Sequence, residues 1–232
     1  MINLNNISLV KKNQLILKEL SFTIVEGDVI GITGPSGSGK TSLLRLLNLL
    51  DSPSNGEIVY CGKALQTYNP LCLRKEIGYV FQKPYLFGHT VLENLTYPYQ
   101  MLKQKPNIQE IQQYLEQVNL PPEIITHKNT ELSGGEQQRI ALIRTLLLKP
   151  RVLLLDEVTA SLDEENTRLI EKLIMVEKKA RQLTVVLITH NLIQAERLAQ
   201  KILYLVNGEV KFYGSNFSTS NLVTRKGIDG HE

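Results

Sequence analysis

Four short runs of mostly apolar residues are separated by longer amphipathic stretches. The runs are Val29–Thr33, Ile77–Phe81, Val152–Asp156 and Thr184–Thr189. Apolar runs without polar alternation are typical of strands buried on both faces of a parallel sheet. Helical patterns lie between them, over Lys40–Leu50, Gly135–Leu148, Glu164–Ala180 and Leu192–Ala199. Strands that alternate with helices predict an α/β core with a parallel sheet.

The two ends of the chain carry a different pattern, in which short strands surround turn residues. At the N-terminal end the runs Ile2–Leu9, Leu20–Ile24 and Ile58–Tyr60 predict an antiparallel sheet beside the core. Near the C-terminal end, Asn207-Gly208 separates Ile202–Val206 from Glu209–Tyr213, which predicts a hairpin with a type I′ turn. The polar stretch 214–232 predicts a loosely ordered tail.

Residues 84–148 predict a helical lobe inserted between two core strands. Pro106, Pro121 and Pro122 lie within it, where prolines indicate helix boundaries. We therefore expect one domain over residues 1–213, made of a core and a helical subdomain over about 84–148, and a tail over 214–232.

Composition excludes several classes of protein. The net charge is +3 and no run of Lys and Arg exceeds two residues, which argues against a nucleic-acid partner. No stretch approaches the ~18 apolar residues of a membrane span, and the N-terminus lacks a signal-peptide pattern. Cys61 and Cys72 fit two reduced thiols. We expect a cytosolic protein that another subunit anchors if it works at a membrane.

A glycine-rich loop follows the first core strand. Gly34-Pro-Ser-Gly-Ser-Gly-Lys40-Thr41 fits the pattern GxxxxGK[ST] and opens a predicted helix, the context that a phosphate-binding loop requires. Its backbone N–H groups and the helix N-terminus favour an anion. Lys40 is expected to reach the β- and γ-phosphates, and Thr41 to offer Mg²⁺ a hard oxygen ligand. The predicted nucleotide-binding residues are Gly34, Pro35, Ser36, Gly37, Ser38, Gly39, Lys40, Thr41 and Ser42. A glycine-rich turn without a ligand is the alternative.

Two acids stand at the end of the run Val152–Asp156. A carboxylate at the exit of a buried parallel strand lies at the ligand edge of the sheet, so Asp156 is placed to hold Mg²⁺, directly or through water. Glu157 points differently because side chains alternate along a strand. It is the candidate for orienting and deprotonating an attacking water. Solubilising the strand end is the alternative role for the pair.

A third motif, Leu132-Ser-Gly-Gly-Glu136, opens the helical pattern before the acids. Ser133 is a good N-cap, and the paired glycines allow close backbone approach, which together with the helix dipole suits a second anion site. A helix cap alone explains Ser133 but neither glycine. With the loop and the acids, the motif closely resembles the signature of ABC-transporter nucleotide-binding domains.

That resemblance implies a P-loop NTPase core with a parallel sheet, a flanking antiparallel β-subdomain and an inserted helical subdomain. It implies ATP and Mg²⁺ as cofactors and a head-to-tail dimer, in which the signature motif faces the γ-phosphate held by the other copy. Gln82, after Ile77–Phe81, resembles the glutamine that senses Mg²⁺ and the attacking water. His190, 34 residues beyond Asp156, resembles the histidine that contacts the γ-phosphate.

The resemblance assigns roles residue by residue. The expected catalytic residues are Lys40, Gln82, Glu157 and His190. The expected metal-binding residues are Thr41, Gln82 and Asp156. The residues expected at the nucleotide across the dimer seam are Ser133, Gly134, Gly135 and Asp163. The remaining histidines, His89, His127 and His231, match no motif and are expected to be incidental.

Lys11 departs from the family pattern. The family usually has an aromatic residue near this position that stacks on adenine, whereas no Tyr, Phe or Trp precedes Phe22 in this chain. Lys11 is left with its aliphatic stem or a cation–π contact to meet the base. We therefore predict weak discrimination between bases.

Six of the fourteen aromatic residues fall between Tyr79 and Tyr99. Core packing explains part of this cluster, Tyr79 and Phe81 above all. The alternative is a docking groove, because aromatic residues are enriched at interfaces. In the family this groove takes a coupling helix of a membrane subunit. The expected contacts are Tyr85, Leu86, Phe87 and Tyr97.

The stretch Leu86–Val91, followed by Asn94-Leu95, resembles the ATPases of the Fet-type iron-efflux and plant aluminium-tolerance group, whereas Tyr79–Pro84 is shared with phosphate importers. The resemblance implies the ATP-hydrolysing subunit of an ABC transporter on the inner face of the cell membrane, paired with a second copy and with an integral-membrane permease. Metal efflux, such as iron, is the implied transport. A phosphate-type importer and a soluble ABC ATPase of an assembly system, such as iron–sulfur cluster biogenesis, remain alternatives.

Overall fold

The computed structural model describes residues 1–215. The predicted tail therefore falls outside the described residues, apart from its first two positions. Within residues 1–215, no helix is long and apolar enough to cross a membrane.

Ten strands and seven α-helices follow one another along this part of the chain. The strands are β1 (Ile2–Lys11), β2 (Gln14–Ile24), β3 (Val29–Thr33), β4 (Asn55–Tyr60), β5 (Lys63–Ala64), β6 (Ile77–Val80), β7 (Val152–Asp156), β8 (Thr184–Ile188), β9 (Lys201–Val206) and β10 (Glu209–Gly214). The helices are α1 (Lys40–Leu47), α2 (Pro70–Glu76), α3 (Val91–Met101), α4 (Ile108–Gln117), α5 (Gly134–Leu146), α6 (Glu164–Arg181) and α7 (Leu192–Leu198). Short 3₁₀ turns lie at Leu65–Thr67, Pro122–Thr126 and Asn129–Glu131.

The central sheet has the strand order β10-β9-β3-β8-β7-β6. The pairs from β9 to β6 are parallel, and β10 runs antiparallel to β9 at one edge. All five residues of β3, β7 and β8 are buried, as the unbroken apolar runs predict. Because the strands are parallel, their carboxyl ends meet at one edge, where the glycine-rich loop, Asp156 and Glu157 lie.

A second sheet, with the strand order β2-β1-β4-β5, is antiparallel throughout. Its apolar residues form one core with α1 and one face of the central sheet, and a second core lies on the other face, against α3 to α6. Helices α3, α4 and α5 lie between β6 and β7 in the chain. The predicted fold class is therefore confirmed.

The C-terminal hairpin, β9 and β10, forms one edge of the central sheet and is not part of the antiparallel sheet. Asn207 and Gly208 both have positive φ values, 49° and 79°, which is the geometry of a type I′ turn. Lys18 N donates to the Gly208 carbonyl at 2.8 Å, so the turn also joins the two sheets.

Helix α1 ends three residues before the predicted boundary at Leu50. The side-chain amide of Asn48 donates to the carbonyl of Ile77 in β6, and Leu49 adopts a φ of 51°. These two features terminate the helix, and the first depends on a strand that is distant in sequence. Helix α2 lies where no helix was predicted, and Asn69 caps its N-terminus before Pro70.

Candidate functional site: a nucleotide site at the sheet edge

The glycine-rich loop packs tightly on one side and is open on the other. A Cβ atom on Gly34 would lie 1.9 Å from the carbonyl oxygen of Leu205, and the φ of Gly34 is 144°. A Cβ atom on Gly39 would lie 2.6 Å from a side-chain carbon of β2. Gly37, by contrast, faces open space. The loop can therefore press against the sheet while its outer side receives a phosphate group.

Helix α1 begins without a capping side chain. Its N-cap is Gly39, whereas each of the other α-helices in residues 1–215 begins at an Asn, Thr, Ser or Asp that accepts a bond from the first turn. The first N–H groups of a helix have no intrahelical partner, so those of α1 are available to an anion. The buried Ser38 hydroxyl has no hydrogen-bond partner among the described residues and is a further group for a ligand.

Lys40 is buried and turns back onto its own loop. Its Nζ donates to the carbonyl oxygens of Gly34 at 2.9 Å and Pro35 at 2.8 Å. Burial lowers the pKa of Lys40, while Glu157 and Asp156 oppose that shift. The ammonium group is thus close to the carboxylates and within the loop where the phosphates are expected.

Asp156 is buried and receives a donor on each oxygen. Thr41 Oγ1 donates to Oδ1 at 3.1 Å, and the hydroxyl of Tyr79 donates to Oδ2 at 2.7 Å. Burial raises the pKa of Asp156, and the two hydrogen bonds counteract that rise. The hydroxyl and the carboxylate are hard oxygens side by side, a donor set that Mg²⁺ prefers when phosphates complete its coordination.

The side chain of Glu157 lies between two residues that are distant in sequence. Gln82 Nε2 donates to Glu157 Oε2 at 2.8 Å, and His190 Nε2 lies 2.7 Å from Oε1. Glu157 has a φ of 50°, the left-handed region that few non-glycine residues adopt. The structure therefore brings together Gln82, Glu157 and His190.

Ser133 lies at the exposed N-terminus of α5, in a capping box with Glu136. The Ser133 hydroxyl accepts from Glu136 N at 3.3 Å and donates to Glu136 Oε2 at 2.7 Å. Gly134 is exposed and a Cβ atom there would meet open space. Among the described residues, no hydrogen bond joins residues 133–135 to the glycine-rich loop of the same chain. This motif faces outward, available to another molecule.

Asp163 caps α6, where its carboxylate accepts from Asn166 N at 2.7 Å. The bonds from Asn166 lower the pKa of Asp163. Asp163 is exposed, as are Ser161 and the ring of His190. The loop before α6 is thus on the surface, next to the edge where the carboxyl ends of the parallel strands meet.

Sequence reasoning missed two supporting residues. The ring of Tyr79 packs against the core, as core packing of the aromatic cluster predicts, but its hydroxyl also contacts Asp156. Gln194 is buried and bonds to Thr159 at 3.0 Å and to Thr189 at 2.6 Å. Thr189 directly precedes His190, so Gln194 ties the backbone next to His190 to the segment after Glu157. Tyr79 lies three positions before Gln82 and Gln194 lies four positions after His190, and a polar group this close to a motif residue is the signal that would have identified each of them.

Lys11 does not lie free for a base. Its Nζ is 2.6 Å from Asp51 Oδ2, and Arg45 donates to the same carboxylate at 2.7 Å. Of the incidental histidines, His89 and His127 are exposed, and His231 lies outside the described residues. Cys61 and Cys72 are free thiols.

An aromatic cleft of about 320 Å³ opens beside β6. We define it by Tyr79, Phe81, Phe87, Tyr97 and Arg144, which line it. The rings of Phe87 and Tyr97 meet edge to face with centroids 4.5 Å apart, and the Arg144 guanidinium lies 4.9 Å from the Phe87 centroid. Burial lowers the pKa of Arg144 to about 10.

The predicted contacts divide into two groups around this cleft. Phe87 and Tyr97 line it, whereas Tyr85 is 71% exposed beside it and Leu86 packs against the core. Phe81, interpreted from sequence as a core residue, is 41% exposed. That interpretation is wrong, because β6 is the edge strand and ends at Val80, before Phe81.

The fold and the glycine-rich loop define a P-loop ATPase. Residues 17–160, more than half of the chain, match the family model described as "ABC transporter", and the chain therefore belongs to that family. Within it, the chain is an ATP-binding and ATP-hydrolysing subunit of an ABC transporter.

Known relatives include importers and exporters. The chain is 38% identical to the phosphate import ATP-binding protein PstB of Saccharolobus solfataricus, over 98% of this chain and 95% of that protein. It is also 38% identical to the probable iron export ATP-binding protein FetA of Escherichia coli, over 82% of this chain and 85% of that protein. Among solved structures, the dimeric post-hydrolysis ATP-binding cassette MJ0796 with ADP and Pi matches with a TM-score of 0.83 and 30% identity, over 94% of this chain and all of that one.

Proposed function

We propose that this subunit hydrolyses Mg-ATP at the edge site, in a head-to-tail pair with a second copy, and thereby powers a separate membrane permease. The observation that carries the proposal is the carboxylate of Glu157, held between Gln82 and His190 beside the loop. A general base near a phosphate cradle is the arrangement that hydrolysis of a phosphoanhydride needs.

The nucleotide phosphates fit the loop because its N–H groups and Lys40 provide positive charge on one side. Lys40 exchanges the carbonyls of Gly34 and Pro35 for phosphate oxygens. Thr41, Asp156 and the carbonyl end of the Gln82 amide would hold Mg²⁺, which supplies charge neutralisation on the phosphate oxygens when bound.

Both oxygens of Glu157 are engaged, by Gln82 and by His190. Each carboxylate oxygen has a second acceptor site, so Glu157 can orient an attacking water while Gln82 and His190 hold its side chain in place. Glu157 would then accept the proton of that water as it attacks the γ-phosphate.

A second copy completes the site. Ser133 and Gly134 are exposed and Gly135 is half-buried, and the three residues offer a hydroxyl, two glycines and a helix N-terminus, while the hydrogen bonds of the Ser133 side chain stay within the capping box of α5. In a head-to-tail dimer they meet the γ-phosphate bound by the other chain, with Asp163 at the seam. Because each site is incomplete alone, ATP closes the pair and loss of the γ-phosphate reopens it.

The aromatic cleft is the surface that we assign to the permease. Its rings are partly exposed although they are large and apolar, which is typical of an interface rather than a core. This feature favours a transporter on the inner face of the membrane over a soluble assembly ATPase. Metal efflux is the transport we propose. The chain is 38% identical both to the phosphate import relative and to the iron export relative, so identifying the permease is what would establish the transported substrate.

Two substitutions test the site. Glu157→Gln keeps the shape of the side chain but removes the base, so we expect ATP binding with hydrolysis reduced at least about 100-fold, and accumulation of an ATP-bound dimer. Lys40→Ala is expected to lose ATP binding. Light scattering at saturating Mg-ATP, with bound nucleotide measured on the same samples, reads both effects. If the Glu157→Gln protein stays monomeric when it is fully occupied by ATP, the proposal that ATP closes a dimer of two copies is contradicted.

A further inference from the structure

Sheet register places Tyr79 next to Asp156. Strand β6 runs parallel to β7 with Tyr79 opposite Leu154. Side chains alternate along a strand, so Asp156, two residues beyond Leu154, lies on the same face as Tyr79. A tyrosine is long enough to span this diagonal, and its hydroxyl reaches Asp156 Oδ2 at 2.7 Å.

Asp156 depends on this hydroxyl. The residue is 3% exposed, and a buried carboxylate needs a donor on each oxygen. Thr41 serves Oδ1, and Tyr79 serves Oδ2. Thr41 lies in the first turn of α1, where its hydroxyl is itself expected to bind the metal, whereas Tyr79 belongs to the sheet. The tyrosine contact is therefore the one that holds the carboxylate without using a group expected to bind the metal.

Ring packing alone does not explain a tyrosine here. The ring of Tyr79 lies against Phe81, with centroids 4.5 Å apart, and forms part of the wall of the aromatic cleft. Phenylalanine would make both contacts. What the hydroxyl adds is the bond to Asp156.

We propose that Tyr79 is a positioning residue, which sets the orientation of the Asp156 carboxylate for the metal that accompanies ATP. The inference rests on the proposed role of Asp156 in holding that metal. Residues that orient a metal-binding carboxylate commonly change metal affinity about 10- to 100-fold when they are removed.

The test measures metal binding directly. Mn²⁺ replaces Mg²⁺ as the probe, and free Mn²⁺ is followed by electron paramagnetic resonance with saturating ATP on the full chain. Tyr79→Phe is compared with Tyr60→Phe. Tyr60 lies in the antiparallel sheet, and its hydroxyl also donates to a carboxylate, Glu76 Oε2, at 2.9 Å. Asp156→Asn reports loss of the metal-holding group. Binding of a fluorescent ATP analogue in EDTA reports the nucleotide site without metal, and thermal melting reports folding.

We expect Tyr79→Phe to weaken Mn²⁺ binding about tenfold, with unchanged nucleotide binding in EDTA and with Tyr60→Phe like wild type. Wild-type Mn²⁺ affinity in Tyr79→Phe would overturn the inference while leaving the proposed function intact. If Tyr79→Phe weakens binding of the ATP analogue in EDTA as much as it weakens Mn²⁺ binding, the inference is also overturned, because such a result indicates a general structural role for Tyr79. If Asp156→Asn binds Mn²⁺ like wild type, the proposed metal site fails, and the inference with it.

Discussion

At the scale of single residues, Lys11 shows how an ion pair changes the interpretation of a motif position. Its ammonium is held by Asp51, which also binds Arg45 in α1. A cation–π contact to a base would have to compete with this pair. The aliphatic stem remains, but it lacks the flat face that fixes a base in one orientation.

We therefore expect ATP and GTP to bind with affinities within about threefold of each other, a difference below ~1 kcal/mol. Lys11→Tyr supplies a ring, and base–aromatic stacking contributes about 1–3 kcal/mol, so this variant should bind ATP at least about fivefold more tightly. Competition titrations with a fluorescent nucleotide measure both. A strong preference of the wild-type protein for ATP would show that another group reads the base.

At the scale of elements, two helix N-termini are built in opposite ways. Helix α1 begins at Gly39 with no side-chain cap, so its N–H groups are available to a ligand. Helix α5 begins at Ser133, whose hydroxyl already serves Glu136. At α1 the N–H groups are thus left for the proposed phosphate, whereas at α5 the Ser133 hydroxyl stabilises its own helix.

Ser133→Ala is expected to destabilise the nucleotide-free protein by about 1 kcal/mol, because it removes the N-cap of α5. Urea unfolding without nucleotide measures this loss apart from any effect on the dimer. Ser161→Ala is the control, since Ser161 is an exposed serine and α6 is capped by Asp163 instead. Equal midpoints for the two variants would mean that the capping box contributes nothing to stability.

At the scale of the whole molecule, the nucleotide site and the aromatic cleft lie on either side of β6. Tyr79 lines the cleft and contacts Asp156, and Gln82, two residues after β6, contacts Glu157. A partner seated in the cleft would therefore contact Tyr79, which bonds to Asp156, and Phe81, the chain neighbour of Gln82. Under the proposal that the cleft takes the permease, this proximity would link the permease to the ATPase site.

The docking surface is tested by a pull-down with tagged Glu157→Gln protein and Mg-ATP, against detergent-solubilised membranes plus cytosol, read by mass spectrometry. A polytopic membrane protein is expected, and adding Phe87→Ala should reduce its recovery roughly tenfold or more, as the loss of an aromatic anchor does. Val176→Ala, an exposed apolar residue of α6, is the matched control.

Unchanged recovery with Phe87→Ala would place the permease elsewhere on the surface. Recovery of soluble partners alone would move the protein to the assembly ATPases and leave its ATP chemistry unaffected.

Local patterns in the sequence were enough to predict the α/β core, the antiparallel sheet, the type I′ hairpin and the glycine-rich loop. Each is specified by consecutive residues: an unbroken apolar run, an Asn-Gly pair, or glycines between a strand and a helix. Family resemblance over those same short motifs was enough to predict an ABC transporter ATPase, as the comparisons show. The boundaries of the domain and the roles of the site residues remain predictions.

Tertiary structure alone decided the contacts between residues that are far apart in the chain. Tyr79 meets Asp156 across 77 positions, and Gln82 meets Glu157 across 75. Strand register sets the first contact, and the arrangement of chain segments at the carboxyl edge sets the second, whereas hydrophobic periodicity reports only which face of an element is buried. The same reason explains the end of α1, which a carbonyl of β6 terminates, and the pairing of Lys11 with Asp51. Sequence determined which chemical groups are present, and the packing of the sheet determined which of them touch.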